Sequence, residues 1–451
     1  MGRFFGTDGV RGLANSGKMT PVSMLRLGQV VGQYFAEKNG GRSSAVIGKD
    51  TRKSGDMIEA ALIAGLTSVG MDVTRAGVLP TSGVSLMTKA LGANLGIMVT
   101  ASHNKFPDNG VKFFQSDGTK LSDKAESGIE AMLVENNEKL VSAKALGCII
   151  VASGLQSKYI ENCKSTLPVG QTLKGLKIVI DAAHGAATFV AATTLSALGA
   201  ENLISIGDNP TGENINDGCG STSTELLSQT VRDNEADVGV ALDGDADRLI
   251  MCDETGKIID GDQLLGLIAT SWKAQGRLSK PGLVATVMSN LGLEHHLGSQ
   301  GLTLVRTQVG DRHVAAKMRQ DGYNIGGEQS GHLLMTDYSQ TGDGIMAAIQ
   351  VLAEILRQGR PASEVLNVFK PVPQVLKNVR YEGDSPMNHP DLLAAVKEVE
   401  ADLSDKGRVI IRPSGTEPLI RIMVECSDSV KLNKNLDALT RCVNKIVGAS
   451  S

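Results

Sequence analysis

Residues 236–248 read A-D-V-G-V-A-L-D-G-D-A-D-R, an apolar run that ends in three alternating acidic residues. The run 236–242 has the composition of a buried strand, and polar sites gather at the carboxyl ends of strands in α/β proteins. Like charges this close repel one another, so Asp243, Asp245 and Asp247 are best tolerated around a cation. Because no softer ligand is nearby, these hard oxygen donors favour Mg²⁺ or a similar ion. The stretch therefore predicts an α/β fold that carries a metal site.

Two other interpretations of this acidic loop stay open from the sequence. Its carboxylates, together with Glu254, fall on the ligand positions of a calcium loop of the EF-hand type. That loop needs Gly at its sixth position and a helix on each side, whereas Arg248 has the sixth position here and the flanks resemble strands. A solvated acidic turn is the plainer alternative, and the hydrophobic strand before the loop argues against it.

Length and composition set the broad class of the protein. A chain of 451 residues is expected to form three or four domains. Hydrophobic residues make up 41% and charged residues 21%, which is typical of a globular protein. The 52 glycines and only 3% aromatic residues predict many tight strand-to-loop junctions and a core of aliphatic and alanine side chains. A net charge of −4 without a basic stripe argues against nucleic-acid binding.

The cysteines and the apolar segments indicate the compartment. The six cysteines form no C-x-x-C pair or other metal spacing, so we expect them to be reduced. We see no signal-peptide apolar region and no apolar run of membrane-spanning length. The sequence therefore predicts a cytoplasmic protein without a membrane partner.

One strand–helix–strand plan recurs three times in the first three-quarters of the chain. The first predicted unit is a strand at 44–50, a helix near 55–69 and a strand at 71–74. The second is a strand at 176–181, a helix near 187–198 and a strand at 202–206. The third is a strand at 282–287, a helix near 290–298 and a strand at 302–305. Units of this length predict parallel pairing with right-handed crossovers. Each unit continues to a further strand that ends in a polar loop, at 100–104, 243–248 and 327–332. Three similar α/β domains would thus each supply one loop to a shared cleft.

The chain changes character near Lys370. Three segments with alternating apolar and polar residues, together with two helical segments, predict a small α+β domain with an antiparallel sheet. The predicted strands are 372–381, 409–412 and 420–425, and the predicted helices lie near 389–404 and 429–447. Residues 156–166 are predicted to form a helix between the first two domains. The predicted domains are 1–155, 156–255, 256–369 and 370–451.

Ser102 lies in the loop T-A-S-H-N-K, directly after an aliphatic strand. A serine hydroxyl is a poor nucleophile unless a base or a metal activates it. His103 is adjacent in sequence, and we expect the two side chains to point apart. Because the G-x-S-x-G pattern of hydrolases is absent, the loop favours a serine that carries a phosphoryl group near the acidic loop. The alternative is a loop serine that bonds only to nearby backbone.

Two cations and a second polar loop are further candidates for the site. Lys112 lies between apolar residues in D-N-G-V-K-F-F and Arg11 among glycines, so both could neutralise a phosphoryl group or be plain surface charges. The loop G-E-Q-S-G-H offers an acceptor, a hydroxyl and an imidazole at alternate positions, which suit the hydroxyls of a sugar. These side chains are Glu328, Ser330 and His332, and a lone histidine is often structural.

The segment R-P-S-G-T-E-P, which begins at Arg412, has the composition of a phosphate-binding loop. Arg412 and Arg421 can bind phosphate oxygens in bidentate fashion. Ser414, Gly415 and Thr416 can add hydroxyl and backbone donors. The loop lacks the G-K-[ST] of a nucleotide-binding P-loop, and a plain turn is the alternative.

Taken together, four motifs resemble the α-D-phosphohexomutase superfamily. They are F-G-T-D-G-V-R-G, T-A-S-H-N-K-F-P-D-N-G-V-K-F-F, G-G-E-Q-S-G-H and R-P-S-G-T-E-P-L-I-R-I-M-V-E, in that order over nearly the whole chain. The resemblance implies three similar mixed-sheet α/β domains and a C-terminal α+β domain around a central cleft. It implies a cytoplasmic enzyme, similar to enzymes that are often homodimers, whose substrate is a small sugar phosphate. Within the superfamily the motifs look like the branch that interconverts glucosamine 6-phosphate and glucosamine 1-phosphate, a step towards UDP-N-acetylglucosamine and the cell wall.

The resemblance also implies a role for each motif residue. Ser102 would carry a covalent phosphate, and one Mg²⁺ per chain would be held by Asp243, Asp245, Asp247 and an oxygen of that phosphate. Glu328 and Ser330 would bind the sugar hydroxyls. The non-reacting phosphate would be bound by Arg412, Ser414, Gly415, Thr416 and Arg421. The reacting end of the substrate would be lined by Arg248, Lys112, Arg11 and His332. Lys112 and His332 are the candidates for the general base. The family often has tyrosine where this chain has His313 in V-G-D-R-H-V, which leaves the role of that position open.

Two other functions remain compatible with the same loops. A phosphoglucomutase or phosphomannomutase of the superfamily would act on neutral sugars through the same residues. A non-catalytic sugar-phosphate sensor would be expected to lose the serine or the acidic loop, and this chain retains both.

Overall fold

The computed structural model describes residues 4–6, 8–135, 139–382, 385–413 and 418–448. The chain folds into two compact units, one of Met1–Thr286 with Val305–Val368 and the other of Val287–Leu304 with Phe369–Ser451. Among the described helices, none is both long enough and apolar enough to cross a membrane.

The first sheet of the larger unit has six strands in the order β1-β5-β4-β2-β3-β6. Its strands are β1 (Val10–Leu13), β2 (Ser44–Lys49), β3 (Asp72–Val78), β4 (Leu95–Val99), β5 (Asp108–Gln115) and β6 (Ile149–Val151). The helices of this stretch are α1 (Pro21–Asn39), α2 (Gly55–Ser68), α3 (Thr81–Ala90) and α4 (Asp123–Glu135). β4 is buried along its whole length, as expected for a strand whose sequence is a continuous apolar run.

The second sheet has five strands in the order β11-β10-β9-β7-β8. Its strands are β7 (Lys177–Asp181), β8 (Asn202–Ile206), β9 (Val238–Leu242), β10 (Leu249–Asp253) and β11 (Ile258–Ile259), and the helices of this stretch are α5 (Leu155–Lys164), α6 (Ala191–Ala197) and α7 (Glu225–Asp233). The helix predicted near 187–198 begins only at Ala191, because residues 187–190 form turns and Val190 has a non-helical φ of −121°.

The third sheet has four strands in the order β13-β12-β14-β15. Its strands are β12 (Gly282–Thr286), β13 (Thr303–Thr307), β14 (Ile325–Gly327) and β15 (Leu333–Met335). The helices of this stretch are α8 (Gly261–Ala274), α9 (Leu291–Ser299), α10 (Asp311–Asp321), α11 (Gly344–Gln358) and α12 (Ala362–Val365). The Asp260 side chain accepts a hydrogen bond from the Gln263 N–H, and the Asp343 side chain accepts one from the Met346 N–H, so both carboxylates cap the helices that they precede.

The three sheets share the same order over four of their strands, which confirms the predicted repeat. In each sheet a central strand pairs in parallel with a third strand, as β2 with β4, β7 with β9 and β12 with β14. The next strand along the chain then returns antiparallel beside that third strand, as β5, β10 and β15 do. The three polar loops are the connections to these returning strands. The same topological position in each sheet therefore carries the chemistry-bearing side chains.

The described part of the smaller unit contains an antiparallel sheet in the order β16-β18-β17. Its elements are β16 (Gln374–Arg380), β17 (Gly407–Pro413), β18 (Leu419–Cys426), α13 (Pro390–Leu403) and α14 (Ser429–Gly448). Apolar residues of β18, such as Ile420, Ile422 and Val424, pack with residues of both helices in one core. The predicted α+β character of this region is confirmed.

Candidate active site

Side chains from all three polar loops meet at the acidic loop. The Ser102 hydroxyl donates a hydrogen bond to Asp243 Oδ2 over 2.6 Å. On the other side of the loop, His332 Nδ1 lies 3.5 Å from Asp247 Oδ1. The loops that follow β4, β9 and β14 therefore converge, as the sequence predicted from their equivalent positions.

The Ser102 loop is held in an unusual backbone conformation. Ser102 has a φ of 52°, a left-handed conformation that costs free energy for a residue other than glycine. Its side chain is buried, and its N–H donates to Thr100 Oγ1 over 2.9 Å. Gly244 of the acidic loop packs against it so closely that a Cβ there would lie 2.5 Å from the Ser102 carbonyl oxygen. The two loops thus touch through their backbones as well as through their side chains.

The expectation that Ser102 and His103 point apart is wrong. Ser102 Oγ lies 3.3 Å from His103 Nδ1, because the left-handed φ of Ser102 turns the chain back on itself. Burial, followed by the positive charges of Arg248 and Arg11, lowers the pKa of His103 to about 4. A neutral imidazole therefore lies next to the hydroxyl.

The acidic loop has the donor set of a cation site. Asp243, Asp245 and Asp247 are buried, and one carboxylate oxygen from each lies within 4.8 Å of the others. Burial and the charges of Asp247 and Asp245 raise the pKa of Asp243 to about 8. Asp245 Oδ1 and Asp247 Oδ1 are buried without a hydrogen bond from the described residues. Asp247 Oδ1 faces His332 Nδ1 at 3.5 Å, and the open oxygen of Asp245 among like charges fits a hard divalent cation, so these residues can bind a metal.

The structure removes the calcium-loop alternative. Arg248 stands where that loop needs glycine, and the acidic residues connect β9 to β10, two antiparallel strands with Leu242 opposite Leu249. The solvated-turn alternative fails as well, because the exposed fractions of the three aspartates are 0%, 0% and 3%.

Lys112 belongs to a closed ring in which two lysines and His332 alternate with carboxylates. Its ammonium lies 2.8 Å from Asp245 Oδ2, 3.0 Å from Asp247 Oδ2 and 3.3 Å from Asp8 Oδ2. The ring runs from Lys112 through Asp8, Lys120, Asp311, His332 and Asp247 back to Lys112. Burial alone would lower the pKa of Lys112, but these carboxylates raise it well above its ordinary value. Lys112 is therefore a fixed positive charge in this arrangement.

His332 joins the loop after β14 to the same ring. Its Nε2 lies 3.3 Å from Asp311 Oδ2, and the ring plane is held closely because a Cβ on Gly342 would lie 2.6 Å from His332 Cε1. Burial lowers the pKa of His332, whereas Asp247 and Asp311 raise it more, so the net shift is upward. His332 is thus not an isolated structural histidine.

The remaining predicted residues of the larger unit lie around this centre. Arg11 is exposed and its Nη1 lies 3.5 Å from Asn104 Oδ1, in the loop of the serine. Arg248 Nε is buried without a hydrogen bond from the described residues and lies 4.0 Å from Asp247 Oδ1. Glu328 Oε1 accepts from the Gly310 N–H over 3.1 Å, and Ser330 is exposed in the same turn. Arg248 and the exposed serine are thus left available to a ligand.

The predicted phosphate-binding residues lie in the smaller unit. Arg412 of β17 is directly opposite Arg421 of β18, and the Nε atom of each is buried without a hydrogen bond from the described residues. Burial and the neighbouring Arg421 lower the pKa of Arg412. Two neighbouring guanidinium groups that no carboxylate of the described residues pairs have the chemistry of an anion site. Ser414, Gly415 and Thr416 lie outside the described residues.

Several well-placed residues had no clear signal in the sequence. Asp8, Lys120 and Asp311 complete the ring, and Arg52 and Asn216 hold the Ser102 loop. Asp8 lies within the quoted motif F-G-T-D-G-V-R-G, and Arg52 follows the first predicted strand of a repeat, so both positions could have drawn attention. Nothing in the spacing marks Asn216, because its partners are more than 100 residues away in sequence.

Known proteins match the chain along its length. Models of the phosphoglucomutase/phosphomannomutase family match in four consecutive stretches, α/β/α domain I over residues 2–140, domain II over 157–256, domain III over 260–372 and the C-terminal domain over 376–441. The protein named phosphoglucosamine mutase from Sphingopyxis alaskensis is 51% identical over 447 residues, which are 99% of this chain and 100% of its own length. The chain belongs to the phosphoglucosamine mutases of that family. It is therefore an enzyme of the isomerase class, an intramolecular phosphotransferase.

Solved structures of this family share the fold. A phosphoglucomutase/phosphomannomutase family protein from Burkholderia thailandensis superimposes with a TM-score of 0.82 at 22% identity, covering 98% of this chain and 97% of its own. The N-acetylphosphoglucosamine mutase of Aspergillus fumigatus, solved with GlcNAc-6P and magnesium, gives a TM-score of 0.69 at 17% identity, covering 99% and 96%. These likenesses confirm the predicted multi-domain α/β architecture.

Proposed function

We propose that this member of the phosphoglucosamine mutases interconverts glucosamine 6-phosphate and glucosamine 1-phosphate through a phosphorylated Ser102. The observation that carries the proposal is the 2.6 Å contact between Ser102 Oγ and Asp243, at a buried carboxylate cluster in which Asp245 Oδ1 has no hydrogen bond from the described residues. The names of the full-length relatives favour the amino sugar over the neutral sugars of the alternative mutases. The presence of both the serine and the carboxylates argues against a sensor.

The proposed reaction consists of two phosphoryl transfers. In the first, the phosphorus–oxygen bond to Ser102 Oγ breaks, a bond to the free 1- or 6-oxygen of the sugar forms, and the sugar hydroxyl loses its proton to a base. The product is glucosamine 1,6-bisphosphate. The freed Ser102 oxygen takes up a proton, and the bisphosphate turns over within the cleft. In the second transfer, the phosphorus–oxygen bond at the other position breaks, that phosphoryl group moves to Ser102 Oγ as the serine gives up its proton, and the released sugar oxygen takes up a proton. The sum is an isomerisation that leaves the enzyme phosphorylated.

We further propose that Asp243, Asp245 and Asp247 hold one Mg²⁺ together with an oxygen of the serine phosphate. A divalent cation bound there would neutralise part of the charge on the transferring phosphoryl group. The Aspergillus protein of the same fold, solved with magnesium, supports this choice of ion. The fit rests on this chain's own donor set, which is three buried carboxylates without a softer ligand.

The other predicted roles follow from where the side chains lie. Lys112 contributes a fixed positive charge at the reacting oxygens, since three carboxylates already engage it. His332 has Nδ1 near Asp247 and Nε2 near Asp311. It remains a better candidate than Lys112 for moving the sugar proton. Arg11 and Arg248 line the reacting end.

Substrate binding is assigned to the remaining motif residues. Glu328 and Ser330 bind sugar hydroxyls, and Arg412, Ser414, Gly415, Thr416 and Arg421 bind the phosphate that is not reacting. The four predicted domains, the homodimer and the cytoplasmic location stay predictions.

Intact-protein mass spectrometry tests the proposed phosphoserine. The purified enzyme should carry one phosphate, and peptide mapping should place it on Ser102. A phosphate found on another residue would refute the assignment. Initial rates on glucosamine, glucose and mannose 6-phosphates test the substrate, and a much faster reaction with either neutral sugar would overturn the choice of glucosamine.

A further inference from the structure

The backbone of the Ser102 loop is fixed by a buried guanidinium outside the motif residues. Arg52 Nη2 donates to the carbonyl oxygens of Ser102, over 3.0 Å, and Asn104, over 2.6 Å. Its Nη1 donates to the carbonyl oxygens of Lys105, over 2.6 Å, and Asp108, over 3.1 Å. The Arg52 side chain is completely buried. One residue thus ties together four carbonyl groups of a single loop.

The guanidinium itself is held in place by Asp50. Arg52 Nε donates to Asp50 Oδ2 over 2.9 Å, so each of the five N–H groups of the side chain has an acceptor. The same carboxylate oxygen accepts from Thr100 Oγ1 over 2.7 Å, and Thr100 Oγ1 in turn accepts from the Ser102 N–H. Both the N–H and the carbonyl of Ser102 are therefore connected to one buried ion pair.

A second donor reaches the same carbonyl from the other side. Asn216 Nδ2 donates to Ser102 O over 2.9 Å and to Asn104 O over 3.0 Å. Asn216 precedes β9 in the chain and is buried. Gly244 leaves no space for a side chain at this point, because a Cβ there would also lie 2.7 Å from Asn216 Nδ2. The Ser102 carbonyl is thus the point at which the serine loop packs against the acidic loop.

These backbone contacts matter because the contacts of the hydroxyl cannot persist through the reaction. Free Ser102 Oγ donates a hydrogen bond to Asp243, whereas a phosphorylated oxygen has no proton to donate. A loop positioned by its hydroxyl would therefore shift each time the phosphoryl group moves. The contacts from Arg52 and Asn216 are made to the carbonyl, so phosphorylation of the hydroxyl does not remove either donor or its acceptor.

From this geometry we infer that Arg52 is a positioning residue for phosphoryl transfer, which holds Ser102 against the acidic loop in both states of the cycle, with Asn216 as its partner. The inference rests on the proposed function of Ser102. Arg52 touches neither the hydroxyl nor the carboxylates of the acidic loop in the described contacts, so it acts through the backbone alone. A lysine at this position keeps the charge but cannot supply the planar fork that reaches four carbonyls.

The test compares R52K with K53M, a control at the adjacent position, where the side chain is 75% exposed and pairs with Glu213 on the surface. We expect R52K to lower kcat on the order of 100-fold, because small misplacement of a reacting group has that effect. The KM for glucosamine 6-phosphate should change by no more than about two-fold, since Arg52 is not expected to touch substrate. K53M should match the parent in both constants.

A second variant keeps the inference testable if R52K does not fold. N216G removes the other donor and suits the positive φ of 55° at this position. It should lower kcat about ten-fold, and the double variant should lose less than the product of the two effects, because both donors act on one carbonyl. A folded R52K with the parent's kcat, or variants that raise KM at constant kcat, would overturn the inference. Failure of the proposed function has a separate signature, which is a parent enzyme without phosphate on Ser102 and an active S102A.

Discussion

The Ser102 loop and the arginine pair of the smaller unit are constructed in opposite ways. Around Ser102, a buried guanidinium has all of its donors paired with the protein's own carbonyl and carboxylate oxygens. Arg412 and Arg421 instead lie opposite each other, each with a buried Nε that no described residue pairs. The first region is ordered before any ligand arrives, whereas the second keeps donors for a ligand. The difference separates groups that perform chemistry from groups that recognise substrate.

The largest effect is expected from S102A, which removes the hydroxyl of Ser102. Turnover should fall by at least about 10⁴-fold, as when an enzyme loses its nucleophile. The free energy of unfolding should change by only about 1 kcal/mol, because one hydrogen bond to Asp243 is lost. Steady-state assays and chemical denaturation measure the two effects. Mutase activity within a few-fold of the parent would rule out the phosphoserine.

The next largest effect is expected at the acidic loop, with D245N. Loss of one buried carboxylate should weaken Mg²⁺ binding and lower kcat on the order of 10³-fold, since the charge on the phosphoryl group is then less well neutralised. Calorimetric titration with Mg²⁺ and rate assays at several metal concentrations measure these effects. D217N is the control, because Asp217 is exposed and pairs with Lys105. Equal metal affinity in parent and D245N would remove the metal site from this loop.

At the arginine pair the effect should appear in binding and not in chemistry. R421M is expected to raise KM by about 10- to 100-fold, the equivalent of one or two charged hydrogen bonds, with kcat changed little. K377M is a matched control, because Lys377 is an exposed cation of the same sheet, opposite Ile422 in register and so on the other face from Arg421. A fall in kcat at constant KM would show that both regions take part in chemistry.

The smallest effect is expected from K120M, which opens the ring of charges. Asp8 and Asp311 would lose their shared partner, and we expect a loss of about 1–2 kcal/mol in the free energy of unfolding, reduced from the value for a buried pair because Lys120 is partly exposed. Chemical denaturation measures this loss. K105M, at an exposed ion pair, should leave the stability unchanged. A K120M protein as stable as the parent would mean that the ring adds no stability.

The sequence predicted the repeat and the converging loops because both depend on local pattern. Aliphatic strands that end in polar residues placed Ser102, Asp243 and His332 at equivalent junctions, and the structure brings these residues together. The α+β region after Lys370 was also predicted correctly from its alternating segments.

The supporting contacts were not predictable from the sequence, for physical reasons. Arg52 and Asn216 reach the Ser102 loop from 50 and 114 residues away, and no periodicity encodes such a separation. The relation between Ser102 and His103 was predicted wrongly because ordinary strand or helix geometry does not apply at a φ of 52°. Local pattern thus locates a loop, but the packing around it sets the loop's shape.

Each of the three polar loops has to close a fixed gap between two paired strands. Each loop joins a strand to an antiparallel neighbour whose register is set, for example with Val99 opposite Val111 and Leu242 opposite Leu249. If a residue added between β9 and β10 shifted the pairing instead of lengthening the loop, every side chain of β10, all of them buried, would move to the opposite face of its sheet. A substitution within one of these junctions leaves the pairing unchanged, whereas an added residue has to be absorbed by the loop itself.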